Sequence, residues 1–508
     1  MIQNKSSSQS PVSVQLPPVA LTITLVLYLI MSVAMAYVMP ILPVLGIIGA
    51  IIINLIVLFF IRSRFALPLY VVAAGPSTAL AFSSSGILSR LYIGDLLFVF
   101  VFLIWILQVV LPERKSGRVL LTKTLLAPLV ALILVGLISI IYSRLYPDPN
   151  VPYTYPHSNV SITITNLSEM SLLIGLPMFL LVVPGLARKV MDAKLVTYAY
   201  LVAGAMYTIG TIIAGPLGLF SNKHILGYAR PLVFGESSSG LGTLIVLFAN
   251  IAFSKALYTK NSTARILWLL LTVFYSIGVI MALGREAWIG LFLSSFIMLV
   301  IRTRNPTALL FLLVPLALLF IPGATNFFDP TQVYGSDRLK IALDAINIWL
   351  KSPIFGVGAG NFQFFDRVYG TDKVGVAHNQ FLSVLAEMGV QGLICLLWLI
   401  VAVGYVSAKY FLKSKSDLAK SVALSSIGFY ISIVFGSLFT GIFIPSAAAG
   451  GGTAAFVEAS YRWLLIGLVL SIPNWDKEAV LIEQKASEAD IKAAQQIEEG
   501  DLANAIWA

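Results

Sequence analysis

Long apolar stretches alternate with short polar connections along most of this 508-residue chain. A helix needs roughly 20 apolar residues to cross the hydrocarbon core of a bilayer. The pattern therefore predicts an all-α fold, a polytopic transmembrane helical bundle of about fourteen helices. The predicted segments lie near 20–39, 41–61, 66–84, 92–111, 125–143, 168–186, 195–215, 237–254, 266–284, 286–301, 306–323, 382–406, 421–444 and 454–472.

Composition supports the membrane class. Hydrophobic residues make up 58% of the chain, charged residues only 11%, and the mean hydropathy is +0.92. A soluble protein of this length needs far more charge to cover its surface. The net charge of +10 does not indicate nucleic acid, because the lysines and arginines cluster in short loops. The single cysteine, Cys395, excludes a disulfide within the chain and a CxxC metal site.

The positions of the basic loops predict the orientation of the bundle. They fall on one side of the predicted segments, at Arg62/Arg64, Arg114-Lys115/Arg118, Arg188-Lys189/Lys194, Lys255/Lys260/Arg265, Arg302/Arg304 and Lys409/Lys413/Lys415/Lys420. Positively charged loops stay in the cytoplasm, so we expect both termini there. The predicted organisation is a cytoplasmic segment 1–19, a transmembrane domain 20–472 and a polar, helical cytoplasmic tail 473–508.

The opposite side carries the longer loops, near 144–167, 216–236 and 324–381. The largest is expected to contain short helices, the first over 338–351, followed by a tight turn at the glycines of 356–360. No internal repeat is evident, which argues against a transporter built from duplicated halves.

Among the arginines on this outer side, against the orientation bias, four matter: Arg230, Arg285, Arg338 and Arg462. A side chain that snorkels to the lipid headgroups is the simplest interpretation of such a residue, and we favour it for Arg462. Arg285 differs, because it lies in the tight Gly-Arg-Glu turn of an apolar hairpin. A guanidinium group is suited to a diphosphate, since its fork donates parallel hydrogen bonds to phosphate oxygens.

His378 precedes Asn379 and a membrane segment, whereas His157 and His224 lie in uninformative contexts. An imidazole titrates near neutral pH, so a histidine at the outer surface is able to accept a proton from a sugar hydroxyl. A hydrogen-bonded loop histidine or a helix cap is an equally good interpretation from this residue alone.

Together these motifs resemble the O-antigen ligase-like superfamily, which includes O-antigen and exopolysaccharide polymerases. The resemblance is specific from about 225 to 400. It rests on the loop arginine, the hairpin Gly284-Arg285-Glu286-Ala287-Trp288, the pair Asp337-Arg338, Trp349, the run Ser352-Pro353-Ile354-Phe355-Gly356-Val357-Gly358, the pair His378-Asn379 and Glu387-Met388-Gly389.

The resemblance implies a GT-C-like membrane glycosyltransferase that needs neither a metal nor a cofactor. Its donor is a glycan on undecaprenyl diphosphate, and its acceptor is the hydroxyl of a glycan or glycolipid. Arg230 and Arg285 are then expected to bind the diphosphate with help from Arg338. His378 is expected to act as the general base, and Asn379 is expected to orient it and to belong to the substrate-binding residues. Direct attack with inversion is the simplest chemistry, because no carboxylate nucleophile is evident.

The sequence leaves three functions open. A ligase transfers the glycan to lipid A-core or another surface acceptor, whereas a polymerase extends a second carrier-linked chain. A transporter or flippase for an anionic lipid-linked glycan is the alternative from another class. The charges gather at the outer ends of helices, which favours an enzyme in the bacterial inner membrane with its site facing the periplasm.

Overall fold

The computed structural model describes most of the chain from residue 63 onward. The described residues are 63–77, 93–110, 123–155, 160–214, 220–225, 228–234, 236–237, 239–304, 336–371, 375–441, 443–444 and 454–506. The predicted segments 20–39, 41–61 and 306–323 lie outside these ranges. For parts of the ranges, including 220–230 and 336–338, only the backbone is described.

Fourteen α-helices form the described part of the molecule, here numbered in chain order. They are α1 (Ala66–Ser77), α2 (Ile93–Val110), α3 (Lys123–Leu145), α4 (Ile162–Gly175), α5 (Phe179–Leu186), α6 (Val190–Ile213), α7 (Ser239–Tyr258), α8 (Ser262–Met281), α9 (Arg285–Thr303), α10 (Ser336–Trp349), α11 (Phe362–Tyr369), α12 (Gln380–Lys413), α13 (Asp417–Gly436) and α14 (Ala454–Ile506). Short 3-10 turns lie at Ser63–Phe65 and Leu176–Met178.

Two small antiparallel ribbons lie in the loops between helices. Strands β1 (Thr154–Tyr155) and β2 (Val160–Ser161) form one of them. The other contains β3 (Phe220–Ile225), β4 (Tyr228–Val233) and β5 (Glu236–Ser237), with β4 in the middle.

The predicted all-α membrane fold is confirmed. Within the described residues, nine helical stretches are long and apolar enough to cross a membrane, and each coincides with a predicted segment. One of them, 162–186, joins α4 and α5 through the 3-10 turn, which contains Pro177. The predicted segment 421–444 extends too far, because α13 ends at Gly436 and a turn follows.

Successive spans run in opposite directions, so the connections alternate between two ends of the bundle. At one end α3, α6, α8 and α13 finish and α4, α7, α9 and α12 begin; we call it the loop end. The connections at this end contact one another: the side-chain amide of Asn379 donates to the backbone carbonyl of Leu438 at 3.1 Å. The side of the membrane that this end faces stays a prediction.

Aromatic side chains fill the centre of the bundle around α14. The hydroxyl of Tyr461 donates to the carbonyl of Val71 at 2.8 Å and accepts from the backbone N–H of Gly75 at 3.0 Å. Tyr200 donates to the carbonyl of Tyr461 at 2.6 Å. Since buried hydroxyls need partners, these bonds fix the depth of α1 and α6 against α14.

The snorkelling interpretation of Arg462 is wrong. Its side chain is only 3% exposed, and it is paired with Glu458 one turn earlier on α14. A buried guanidinium needs such a partner, because an unpaired charge away from water is strongly destabilised. Arg462 is therefore part of the interior of the bundle.

Helix α14 continues past the last predicted span and holds the first turn of α13. The carboxylate of Asp476 accepts from the backbone N–H groups of Lys415 and Ser416 at 3.1 and 3.0 Å, just before α13. Glu483 accepts from the N–H groups of Asp417 and Leu418 at 3.0 and 3.2 Å. Such bonds satisfy N–H groups that a helix leaves unpaired, so this part of the polar tail contributes to the bundle.

Asp476→Ala is expected to destabilise the protein by about 1–2 kcal/mol, because it removes the acceptor of three hydrogen bonds at the start of α13. Thermal unfolding of the purified protein in detergent measures the effect. Glu488→Ala, at an exposed position farther along α14, is the matched control and should change little. Equal melting temperatures for both variants would show that the tail does not hold α13 in solution.

Candidate active site

A compact apolar cluster supports the loop end. It joins α10, α11 and the start of α12, and it comprises Ala345, Ile348, Val357, Phe362, Phe365, Ala377 and Ala386. Helix α10 presents Ile341, Ala345 and Ile348 inward at helical spacing, while Leu339 and Leu343 stay exposed. Because Ala377 belongs to this loop-end cluster, its packing fixes the residue directly before His378.

Two buried aspartates close the connection between α11 and α12. Asp344 accepts from the N–H and the hydroxyl of Thr371 at 2.8 and 2.9 Å. Asp366 accepts from the N–H of Gly375 at 2.7 Å. The chain is thus held on both sides of the undescribed residues 372–374 before it reaches His378.

Helix α12 is broken at Gly389, and the glycine-rich loop after α10 fills the break. Gly389 has φ +69° and ψ −171°, outside the helical region. The freed backbone groups pair with the loop: the N–H of Val390 donates to Pro353 at 3.0 Å, and the carbonyl of Glu387 accepts from Gly358 at 2.9 Å. The expected turn at 356–360 is therefore present, and it also locks the kink of α12.

Glycine is needed at this joint because two backbones touch. A Cβ on Gly389 would collide with the carbonyl of Ile354, and one on Gly356, whose φ is +71°, would collide with the backbone of Glu387. Only glycine adopts such positive φ values without strain.

Gly389→Ala is expected to destabilise the protein by about 2–4 kcal/mol, since it adds both a steric clash and an unfavourable φ. Thermal unfolding in detergent is again the measurement. Gly441→Ala is the matched control at the same end of the bundle, because a Cβ there has ordinary contacts of 3.7 Å or more. The kink would not be essential if the two variants melted together.

Polar side chains tie the glycine loop to α3 and α4. The amide of Asn166 donates to the carbonyl of Ala359 at 2.6 Å and to the Asn361 side chain at 2.7 Å. The hydroxyl of Ser139 accepts from the N–H of Ala359 at 3.0 Å. The buried carboxylate of Glu387 accepts from the N–H of Phe362 at 3.1 Å. The first turns of α12 are consequently anchored to the rest of the bundle.

His378 adopts a left-handed backbone conformation, with φ +46°, and its side chain is half-buried. Asn379 begins α12 as its N-cap: its side-chain oxygen accepts from the N–H groups of Phe381 and Leu382 at 2.9 and 3.1 Å. The N–H of Gln380 donates to the carbonyl of Ser437 at 2.8 Å. These bonds hold the backbone after His378 on the last turn of α13.

The bonds of Asn379 bear on its expected role. Its oxygen caps α12, and its nitrogen donates to Leu438. Asn379 therefore fixes the backbone directly after His378, and its role toward the histidine stays a prediction.

Arg285 is the first residue of α9 and follows a tight hairpin turn, as expected. Leu283 has φ +59° in this turn. The indole N–H of Trp288 donates to the carbonyl of Val279 at 3.0 Å and closes the hairpin onto α8. Gly284, the N-cap residue, provides no side-chain cap. Because α9 begins at the loop end, the positive end of its helix dipole points there.

Arg285, at the start of α9, and His378, just before α12, both lie near the same end of a third helix, α13. Helices α9 and α13 pack antiparallel, with Gly290 against Ser432 and Met298 against Gly428. Five residues toward the loop end from the first contact lead to Arg285 on α9 and to Ser437 on α13. Since the carbonyl of Ser437 accepts the backbone hydrogen bond of Gln380, the register brings the start of α9 and the backbone after His378 to the same end of α13.

The backbone alone locates Arg230 and Arg338. Arg230 lies in β4, and this ribbon rests on α6, where Val233 contacts Gly210. Helix α7, which follows the ribbon, packs at Gly242 against Ala287 of α9. Arg338 is the third residue of α10, near the start of the helix. Both positions belong to the loop end, and neither side chain is among the described ones.

A cavity of about 630 Å³ also opens at the loop end, on the α3 side of α12. Its walls come from the end of α3, the loop 146–153 and the turn after α10. Arg144 lies 5.3 Å from the ring centre of Tyr153, and the ammonium of Lys351 lies 4.1 Å from that of Tyr369.

Polar neighbours shift the pKa values of two tyrosines around the cavity. The hydrogen bond with Thr163 and the charge of Arg144 lower the pKa of Tyr153. Tyr369 donates its hydroxyl proton to Asp148 at 2.6 Å, which raises the pKa of Tyr369. Arg144 and Asp148 in the cavity wall are thus held in defined hydrogen bonds.

Sequence reasoning did not find the anchoring residues Asn166, Asn361 and Ser139, nor the arginine and lysine of the cavity. Arg144 had a signal that was available: it is a basic residue at the outer end of a predicted span. The asparagines carried none, because their partners are about 195 positions away in the chain.

One comparison with known proteins, the match to a family model, agrees with the motifs. The O-antigen ligase family matches residues 270–397, a segment that includes Arg285, Arg338 and His378 but not Arg230. Among solved structures, the chain is similar to a protein in a structure described as "Structural coordination of polymerization and crosslinking by a peptidoglycan synthase complex". The identity is 18% and the TM-score 0.41, over 68% of this chain and 96% of that one. None of the curated proteins matches the chain.

The resemblance to the O-antigen ligase-like superfamily is thereby confirmed for the segment 270–397. Together with the apolar helices, the match supports a multi-pass membrane enzyme of the O-antigen ligase or polymerase type.

Proposed function

We propose that this protein transfers a glycan from an undecaprenyl diphosphate carrier to an acceptor hydroxyl at the outer face of the cytoplasmic membrane. One observation carries the proposal: Arg285 and the backbone beside His378, 93 positions apart in the chain, both lie near the same end of α13. A cation for the leaving group and an imidazole for the attacking hydroxyl are the two groups that such a transfer needs.

In the proposed reaction His378 accepts the proton of the acceptor hydroxyl as its oxygen attacks the anomeric carbon. The new glycosidic bond forms while the bond from that carbon to the diphosphate oxygen breaks. The electron pair leaves with the diphosphate, and Arg285 stabilises the added negative charge. The configuration of the anomeric carbon is inverted, because one direct displacement takes place.

The backbone conformation of His378 supports its role as the general base. Residues other than glycine rarely adopt a left-handed conformation, and strained positions of this kind concentrate at functional sites. The N-cap at Asn379 and the bond from Gln380 to Ser437 maintain it. Such anchoring keeps an imidazole in place for proton transfer.

Arg285 is supported as the diphosphate ligand by its surroundings. It begins α9, where the helix dipole adds positive potential to that of the guanidinium. We assign Arg230 and Arg338 to the same diphosphate, because their backbones lie at the loop end. Ligase and polymerase activities share this donor and differ only in the acceptor.

Incubation of the purified protein with carrier-linked glycan and candidate acceptors in the presence of EDTA tests the proposal. A new glycosidic bond is expected despite the chelator, because arginines replace the metal. Product with lipid A-core identifies a ligase, whereas products of increasing repeat number identify a polymerase. Movement of the lipid-linked glycan across vesicles without any new bond would contradict the proposal and favour a flippase.

A further inference from the structure

The cavity beside α3 has the composition of a saccharide site. Tyr142 stacks on Phe355 with ring centres 4.7 Å apart and lies 5.0 Å from the ring of Tyr146. Flat aromatic faces next to hydrogen-bonding groups suit the amphipathic faces of sugar rings. The volume of about 630 Å³ is in the range of ordinary ligand pockets.

The cavity also carries positive charge that no described carboxylate neutralises. Neither Arg144 nor Lys351 forms an ion pair within the described ranges; each instead lies over a tyrosine ring. A cation–π contact positions a cation and leaves its charge in place. The one carboxylate in the wall, Asp148, accepts hydrogen bonds from Tyr369 and from the backbone of Asn150.

Arg144 keeps donors available for a ligand. Its hydrogen bonds to Thr163 and Asn166, at 3.0 and 2.8 Å, both use Nη2. The guanidinium is therefore oriented by the protein through one nitrogen, and its remaining edge is suited to a carboxylate or phosphate.

The cavity is separate from the site at Arg285 and His378. Helix α12 packs against both α3 and α13, and neither Arg285 nor His378 is among the residues that line the cavity. Val357 and Phe365 line the cavity and also belong to the loop-end cluster. Ala377, next to His378, belongs to the same cluster. A ligand in the cavity thus contacts residues other than those assigned to the reacting carbon.

We propose that this cavity binds an acidic segment of the glycan substrate, with Tyr142 and Tyr146 against its sugar rings and with Arg144 and Lys351 against its anionic groups. The assignment to a substrate rests on the proposed function; the binding of an acidic saccharide does not. The anion is a carboxylate of the sugar itself; a site for phosphate is the opposing outcome of the experiment.

Binding to the purified full chain in neutral detergent provides the test, with calorimetry as the readout. The probes are tetragalacturonate, its fully methyl-esterified neutral form and inorganic diphosphate. We expect tetragalacturonate to bind, the neutral form to bind at least about tenfold more weakly, and diphosphate not to compete, because charge-assisted hydrogen bonds act together with ring contacts.

Two variants connect binding to the cavity. Lys351→Gln alters an exposed side chain. Lys351→Gln and Arg144→Gln should each weaken tetragalacturonate binding by about ten- to a hundredfold. Lys413→Gln, exposed at the other end of α12, removes an equal charge and should leave binding unchanged.

The outcomes separate the two proposals, since binding needs no turnover. Unchanged tetragalacturonate binding in the Arg144/Lys351 variants overturns the cavity assignment, even if transfer is observed. Displacement by diphosphate also overturns it and indicates a site for lipid phosphate. Loss of binding in these variants, in a protein that makes no glycosidic bond, supports the saccharide site and contradicts the proposed glycosyl transfer.

Discussion

His378→Gly is expected to lower glycan transfer by about 10²- to 10⁴-fold, the contribution that general bases make. Glycine removes the imidazole and adopts the left-handed backbone of this position without strain. The cap of α12 and the bond to α13 should therefore persist. Initial rates with carrier-linked glycan, compared at equal amounts of inserted protein, measure the effect.

Two controls separate chemistry from structure at this position. His378→Asn keeps a residue that tolerates left-handed backbone, and it should be as inactive as the glycine variant. Added imidazole should restore part of the rate to the glycine variant only, because the cavity it leaves admits the missing base. Full activity of His378→Gly without imidazole would end the general-base assignment.

Arg285→Gln is expected to lower transfer by about 10²- to 10³-fold, similar to the removal of one group that stabilises charge in a transition state. Arg285→Lys should recover only part of the rate, since an ammonium keeps the charge but lacks the fork that pairs with two phosphate oxygens. Steady-state kinetics with varied donor concentration distinguish lost binding from lost catalysis.

Arg304→Gln provides the matched control for Arg285. It removes the same charge from the other end of α9, where the side chain is exposed and distant from the loop end. Its rate should equal that of the unaltered protein. If both arginine variants transferred glycan equally well, Arg285 would not bind the diphosphate.

Sequence periodicity predicted the membrane helices well because a long apolar run has few other solutions. Lipid leaves backbone groups no partner except those within a helix, so length and hydropathy decide the element. Helix ends were less predictable. The end of α13 at Gly436 and the continuation of α14 past residue 472 depend on contacts with other helices, which periodicity does not contain.

The candidate site was predictable where chemistry restricts the residue type. An arginine in a tight hairpin and a histidine before a helix stood out because few residues suit those positions. Their common position near the end of α13 was not predictable, because it depends on the packing of α9 against α13 at Gly290 and Gly428. The cavity at Arg144 and Lys351 joins two loops that are about 200 positions apart, and the intervening sequence gives no sign of their contact.

The joint between the glycine loop and the break in α12 is made of main-chain hydrogen bonds, from Val390 to Pro353 and from Gly358 to Glu387. Main-chain bonds are indifferent to the identity of the side chains but sensitive to the length of chain between them. In distant relatives we therefore expect the two halves of this joint to tolerate many substitutions, whereas a one-residue insertion next to either would shift the pairing. Alignments anchored on these glycines and their spacing should find such relatives more reliably than overall identity does.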